Sequence, residues 1–446
     1  MENRKLDSII RLSNLPDSVL SHILSFFPTK LSIRTSILAR RWRYLWSYVP
    51  ALYFDSEYDD EEFIERVSSL HKPKTINTFR LYLKDVHNGI EPQIKAWIAS
   101  AIKRNVQSVD LFFTCFDNLL HQSLFTSKTL VDLKISSSSF IPVVVTPLAV
   151  CLPRLKKIHL SPVLYAGGTS LSDLLSSCPA LEEVVIRLII KCSSRPFTIS
   201  SPTIKRLTVR FQLTRTTDKF NNFLSQIVGF RSCNHAIEIN TPALRYLNVV
   251  DYLSVRIESG AMNSLIGADI YLNHVNRKQE DFPSSRSVLE FIDRLCNVKC
   301  LRLDLSYCKE ILDSVFSAWF ISFNNLNKLE LTADCRFLSK FIESADNLEI
   351  LVFWEVSEDI KSWIEPPQVP KCLSSHLRTI RLVEIVGTKH EFEIVRYLLK
   401  NAKVLERMEI VYPPFLESHE KIYVLEQIDL LERRSEACEL EFVEIF

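Results

Sequence analysis

The chain has 446 residues, 47% of them apolar and 24% charged, the balance of an ordinary folded protein and enough length for two or three domains or one extended repeat array. A net charge of +1 gives no electrostatic footprint for nucleic acid or a membrane surface. With seven glycines and neither a GxGxxG nor a GxxxxGKS/T motif, the chain lacks the loops that bring backbone up to a phosphate, which argues against a nucleotide-dependent enzyme.

The first ten residues, MENRKLDSII, are charged and lack the apolar centre of a secretory signal. Leu15-Pro16-Asp17 then opens a helix, because proline presets the first turn and aspartate suits the positive end of the helix dipole. Val19, Leu20, Ile23, Leu24 and Phe27 follow at spacings of one and four, one face of that helix, and Pro28 stops it. A second helical stripe is expected through Leu38, Trp42, Leu45 and Trp46, with Arg40, Arg41 and Arg43 on other faces. A segment of about 40 residues cannot build a self-sufficient core. Apolar stripes left exposed on it point to a partner.

These residues resemble the F-box, the adaptor motif that docks on a Skp1-type protein in a cullin-RING ubiquitin ligase. The resemblance rests on Leu15-Pro16, Ile23-Leu24, Pro28, Arg41-Trp42-Arg43 and Leu45-Trp46, and on the plant-type distance from the Leu-Pro pair to the first tryptophan. Two positions depart from the pattern: Leu31 stands where an acidic residue is usual, and Ala39 where serine is usual. The resemblance implies an adaptor-binding module over residues 8–55. Leu15, Pro16, Leu20, Ile23, Leu24, Trp42, Leu45 and Trp46 are expected to contribute to the adaptor interface or to the hairpin that presents it.

Next comes the acidic run Asp59-Asp60-Glu61-Glu62, read as a solvated helix start with Phe63, Ile64 and Val67 behind it. After residue 100 a triplet recurs: an apolar residue, another three later, another two after that. Copies are Leu130-Leu133-Ile135, Leu155-Ile158-Leu160, Leu181-Val184-Ile186, Ile204-Leu207-Val209 and Leu244-Leu247-Val249. Others are Val298-Leu301-Leu303, Leu326-Leu329-Leu331, Leu348-Leu351-Phe353, Leu377-Ile380-Leu382 and Leu405-Met408-Ile410, with a weaker copy beginning at Val106. Most starts lie 22 to 29 residues apart, at or near the leucine-rich-repeat period of about 20–29. Wider gaps after Ile204 and Leu244 are expected to hide degenerate copies, such as Leu265 to Ile270.

The three- and two-residue steps put one turn residue and two alternate strand residues on a common inward side. No single repeat buries its apolar face, so neighbours must stack. Helical stripes alternate with the strands: Ile94, Trp97, Ile98 and Ile102; Val288, Phe291, Ile292 and Leu295; Phe337, Phe341 and Ile342. Prolines at 153, 179, 202 and 242 mark entry into strands. The asparagine that usually follows the strand is mostly replaced, for example by Ser138, Ser306 and Asp334. The expected fold is α/β: a short all-helical N-terminal module, then an irregular solenoid of parallel strands and helices over 56–365, then a C-terminal cap over 366–446.

That last segment resembles the FBD region of plant F-box proteins with leucine-rich repeats. Trp363 precedes it, Pro370 to Leu377 lead into a strand, a helix follows with Phe392, Val395, Leu398 and Leu399, and Val404 to Met408 lead into another strand. With three parts in order, the resemblance covers nearly the whole chain.

Chemistry-bearing constellations are scarce. Ten dispersed histidines, with no GxSxG, give no nucleophilic triad, and His159 and His235 read as structural. Cys296, Cys300 and Cys308 lack histidines at ligand spacing and read as structural thiols. Eleven scattered cysteines without a CxxC pair read as buried thiols of a reducing compartment, hence a cytoplasmic and/or nuclear location. Gly167-Gly168 reads as a turn. The longest apolar run, Ile141 to Leu152, is interrupted by Pro142 and Pro147 and is too short to span a bilayer. The Arg40-Arg41-Arg43 cluster falls short of the roughly six phosphate contacts of a nucleic-acid footprint. The expectation is a non-catalytic chain without cofactor or metal, contacting neither nucleic acid nor membrane. The resemblance implies the substrate-recognition subunit of a Skp1-cullin-F-box ligase, bound to a Skp1-like adaptor and through it to cullin, with the repeats holding a target protein. The alternatives are a non-ligase interaction scaffold and a ligand-gated receptor of the F-box type.

Overall fold

The computed structural model describes residues 15–84, 89–114, 120, 122–142, 150–165, 170–190, 197–211, 236–251, 256–260, 262–272, 285–306, 321–355 and 363–444. Gly167-Gly168, Pro147, His235 and Cys308 lie outside these residues. The chain forms two compact units, Met1–Leu164 with Asp173–Ile186, and Tyr165–Ser172 with Arg187–Phe446.

The first unit begins with α1 (Asp17–Leu24) and α2 (Thr29–Arg34), followed by 3₁₀ turns at Thr35–Ile37 and Arg40–Tyr48. It continues through β1 (Ala51–Asp55), α3 (Glu61–Leu70), β2 (Thr78–Leu83), α4 (Glu91–Lys103) and β3 (Ser108–Phe113). After a 3₁₀ turn (Gln122–Thr126) come β4 (Asp132–Pro142) and β5 (Lys157–Tyr165); α5 (Ser170–Ser176) then precedes β6 (Glu183–Ile190). From β1 to β5 each strand pairs in parallel with the next. The register explains the triplet. Its second residues align as Leu52, Phe79, Val109, Leu133 and Ile158, and its third residues as Phe54, Leu81, Leu111, Ile135 and Leu160. All ten are buried. Two copies thus precede the first one legible in the sequence, Val49-Leu52-Phe54 and Ile76-Phe79-Leu81, where phenylalanine replaces an aliphatic residue.

The second unit carries β7 (Phe197–Ser200), β8 (Arg206–Phe211), β9 (Ala236–Asn240), β10 (Tyr246–Asp251), β11 (Arg256–Ser259) and β12 (Gly267–Leu272). Then come α6 (Ser285–Asp293), β13 (Cys300–Asp304), β14 (Lys328–Ala333), α7 (Cys335–Ser344) and β15 (Ile350–Glu355). The unit finishes with α8 (Lys371–Ser375), β16 (Thr379–Val383), α9 (Lys389–Asn401), β17 (Arg407–Tyr412), α10 (Ser418–Asp429) and β18 (Glu439–Glu444). Its main sheet runs β8-β10-β12-β13-β14-β15-β16-β17-β18, again parallel. One ladder of second triplet residues runs through Leu207, Leu247, Ala268, Leu301, Leu329, Leu351, Ile380 and Met408.

The fold departs from the sequence pattern at three points. The gap after Leu244 does hold a copy, Leu265-Ala268-Ile270 on β12, whereas after Ile204 no described strand enters this sheet before β10, because β8 pairs directly with β10. In this stretch β7, β9 and β11 form a second parallel sheet in the order β11-β9-β7, which the triplet pattern does not announce. Their alternating Ile237 and Ile239, or Phe197 and Ile199, fit a period of two. The prolines belong to turns ahead of the strands. Leu155, Leu181 and Leu244 each donate a backbone N–H to the carbonyl three residues back, at 3.2, 3.1 and 3.0 Å. Pro153, Pro179 and an alanine-preceding Pro242 therefore occupy the second turn position, where φ near −65° is wanted.

The three named helical stripes become α4, α6 and α7, with Ile94, Trp97, Ile98, Val288, Phe291, Ile292, Phe337, Phe341 and Ile342 all buried. Asp334 does bond turn backbone: it caps α7, accepting from the Arg336 N–H at 3.0 Å. The C-terminal segment closes the array with the same strand–helix unit. Its α9 opens with a capping box between Thr388 and Glu391, and the buried Trp363 ring packs 5.8 Å from Tyr397. Among the described cysteines, Cys178, Cys335, Cys372 and Cys438 are buried as expected, but Cys151 and Cys300 are exposed. Among the described residues no group of three or more His, Cys, Asp or Glu could hold a metal ion, and no helix is long and apolar enough to cross a membrane.

Candidate docking site

Helix α1 starts at Pro16, whose carbonyl accepts from the N–H groups of Val19 and Leu20 at 3.0 Å. Pro28 starts α2 in the same way, accepting from Ser32 at 3.0 Å. The expected helix through Trp46 is instead a 3₁₀ stretch. Its three-residue turn places Trp42 and Leu45 on one side. They join Leu20, Leu24 and Val49 in a small core, with Leu15, Ile23 and Ala51 packed at its margin. The Ser32 hydroxyl, buried, donates to the Leu24 carbonyl at 3.0 Å and ties the two helices together. Arg41 ties the end of the module to its start, bonding Asp17 Oδ1 through Nε at 2.8 Å and the Leu15 carbonyl through Nη2 at 2.7 Å.

The predicted site residues therefore divide. Leu20, Leu24, Trp42 and Leu45 are sealed within the module and can act only through its shape. Leu15, Ile23 and Trp46 are half-buried, and Pro16 is exposed. The free apolar surface comes from stripe residues outside the expected site, Val19, Phe27 and Leu38, and from neighbours the stripes did not include, Phe26, Leu31 and Ile37. Phe26 is 72% exposed, Ile37 87% and Leu38 67%, with Val19, Phe27 and Leu31 also exposed. Phe27 and Leu38, both members of the apolar stripes, lie just past the end of α1 and between the two 3₁₀ stretches. Apolar residues interrupting the helical period, next to Pro28 and Arg40, were the signal for this surface. So many large apolar side chains on so small a module mark a docking face.

The module is not hung on a linker. Its last core residue, Val49, opens the first repeat triplet, and β1 follows at once. Thr29 Oγ1 accepts the Tyr53 N–H at 2.8 Å, so α2 covers part of the free edge of β1. The acidic run is also different from a uniformly solvated helix start. Asp60 caps α3, accepting from Phe63 N–H at 2.8 Å, but Asp59 is buried. Asp59 accepts the Asp55 N–H at 3.0 Å and pairs with Lys30 of α2 at 3.6 Å. Burial raises its pKa, opposed by these two contacts. On the other side His71, also buried, meets the Val49 carbonyl at 2.6 Å and Arg104 through its other nitrogen. Burial first, and the Arg104 charge in addition, lower its pKa to about 4. The ring is therefore neutral near pH 7, with Nε2–H donating to Val49 and Nδ1 accepting from Arg104.

On the sheet face away from the core, the first unit lines up Tyr53, Arg80, Asp110 and Lys134 in register across β1 to β4. Tyr82 stands edge-on between Tyr53, at 5.4 Å, and Phe112, at 6.3 Å. Its hydroxyl donates to Asp110 at 2.7 Å, and Lys134 reaches the same carboxylate at 3.3 Å. In the second unit charged side chains pair across neighbouring strands and within β17. Arg302 lies 4.0 Å from Asp269 and 3.6 Å from Glu330, and Arg407 lies 3.0 Å from Glu409 and 2.6 Å from Glu441. Neither arrangement brings a nucleophile together with a base. His159 is half-buried on β5.

Fold and site together define a repeat protein of the leucine-rich type, with a helical docking module fused to its first strand and a strand–helix cap at its end. The comparisons carry the assignment further. An F-box domain model matches residues 12–52, an FBD model residues 365–410, and a model described as "FBD-associated F-box protein At5g56370, LRR repeats" residues 94–266. The chain is 30% identical to FBD-associated F-box protein At4g10400 of Arabidopsis thaliana, over 97% of this chain and 99% of that one. It is 30% identical to F-box/LRR-repeat protein At4g14096 (90% and 87% covered) and 27% identical to F-box/FBD/LRR-repeat protein At5g56420 (97% and 98%), both of the same plant. The chain belongs to the family of F-box proteins with leucine-rich repeats and an FBD domain.

Proposed function

We propose that this chain is the substrate-recognition subunit of an SCF-type ubiquitin ligase. The F-box docks on a Skp1-like adaptor, which connects it to cullin, and the repeats hold a target protein. The observation that carries this reading is the exposed apolar face of Phe26, Leu31, Ile37 and Leu38 on a module whose own core is already filled by Leu20, Leu24, Trp42 and Leu45. The chain itself supplies position, not chemistry: holding a target beside the charged enzyme raises its effective concentration. The proposed divisions are 8–55, 56–365 and 366–446, and the proposed location is the cytoplasm and/or the nucleus.

Co-purification tests the reading. Wild-type chain is expected to bring down adaptor and cullin together. Adaptor without cullin would favour the non-ligase scaffold, and target binding that depends on an added small molecule would favour the receptor.

A further inference from the structure

We propose that Lys30 and His71 are positioning residues, which weld the F-box to the first repeats so that the docking face and the first strands move as one body. For its functional meaning this rests on the adaptor reading above; the weld itself does not.

Two clamps make it. On one side, Lys30 leaves α2 and crosses to the repeat. Its ammonium donates to the Tyr58 carbonyl, pairs with Asp59 at 3.6 Å and lies over the Phe63 ring at 5.3 Å. The Asp59 side chain is 2% exposed and is held in turn by the Asp55 N–H of β1. Thr29 beside it takes the Tyr53 N–H. On the other side, His71 follows α3 and bridges the Val49 carbonyl, at the end of the F-box, to Arg104, which follows α4. Arg104 Nε also reaches the Pro73 carbonyl at 3.1 Å. Backbone reinforces this side: Lys72 N–H donates to Ser47 at 2.9 Å and Asn77 N–H to Pro50 at 2.7 Å.

Neither clamp uses a residue of the exposed apolar face, and neither is needed to fill the module's core. A loosely tethered module would need none of these polar bonds, and among their partners Asp59 and His71 are buried and costly to leave unpaired. What the clamps determine is direction: a target seated on the repeats then has a fixed bearing from the adaptor, the condition under which tethering accelerates transfer.

Amide hydrogen exchange on the full chain, alone and with Skp1-type adaptor, tests this. In the wild type the Tyr53 amide and α2 should exchange as slowly as β2. Lys30→Met should speed both by tenfold or more, leave β2 and β3 protected, leave the tryptophan fluorescence native, and change adaptor affinity less than twofold. Lys30→Arg should restore protection. Asp59→Asn and His71→Asn give the same comparison should Lys30→Met fail to fold. Unchanged exchange in these variants overturns the weld, as does general loss of protection that Lys30→Arg does not rescue. Wild-type chain that ignores adaptor yet keeps Tyr53 protected would sink the ligase reading and leave the weld standing.

Discussion

His71 makes a quantitative prediction about acid stability. Its side chain is buried, with a pKa lowered to about 4 against 6.5 in the unfolded chain. The folded state binds the proton more weakly, so between these values the unfolded chain carries more protons and stability rises with pH. The contribution is fully present above pH 6.5 and is lost as pH falls toward 4. At about 1.4 kcal/mol per pKa unit, the whole effect is about 3 kcal/mol, of which roughly 2 kcal/mol is lost between pH 7.5 and pH 5. The groups facing the ring are the Val49 carbonyl and the Arg104 guanidinium. Protonation would set an imidazolium against a guanidinium and remove the acceptor that Arg104 uses. Denaturant unfolding of wild type and His71→Asn at both pH values measures this, the other nine histidines cancelling in the difference. The native chain should lose roughly 2 kcal/mol more than the variant over that interval. A ring titration by NMR should place the His71 midpoint near 4. An identical pH slope in both proteins, or a midpoint near 6.5, would refute the buried neutral ring.

Further perturbations should separate the module's core from its surface. Leu24→Ala removes a fully buried side chain and should cost about 2–5 kcal/mol of module stability, read from amide exchange of α1 under increasing urea. Gly387→Ala should destabilise the C-terminal cap by about 1–3 kcal/mol, read as a lowered Tm. Gly387 has φ +91, and an added Cβ would lie 2.6 Å from Val424 Cγ2. Asp334→Ala removes the cap of α7 and the carboxylate that Arg336 holds at 2.8 Å, and should cost about 1–2 kcal/mol by the same measurement.

How much of this was legible in the sequence depended on which residues carried the period. Aliphatic triplets such as Leu326-Leu329-Leu331 give away their strands, because a step of three then two has one inward reading. Val49-Leu52-Phe54 passes unnoticed because it is absorbed into the F-box, and Ile76-Phe79-Leu81 because phenylalanine takes its second position, aliphatic or methionine in every legible copy. Strands β7, β9 and β11 stayed hidden because four or five residues are too few to distinguish period two from a helical turn. The same shortness misled in the module. Leu38, Trp42, Leu45 and Trp46 suit an α-helix on paper, but the backbone tightens to 3₁₀, which seals Trp42 and Leu45 and leaves Leu38 in solvent. Periodicity located the apolar residues but could not divide inside from outside. That division needs the partner faces of α1 and α2. The Lys30–Asp59 and His71–Arg104 contacts join residues 29 and 33 positions apart, beyond any local pattern.

The central claim is that the F-box presents an apolar face built for another chain. The most direct measurement is the affinity of purified full-length chain for a Skp1-type adaptor, comparing wild type with the Ile37→Asp/Leu38→Asp double variant. Both side chains are exposed, so the variant should fold with an unchanged Tm. The account predicts measurable wild-type binding that weakens at least about tenfold in the variant, because charge would be buried at the centre of the interface. Equal binding by both proteins would contradict it.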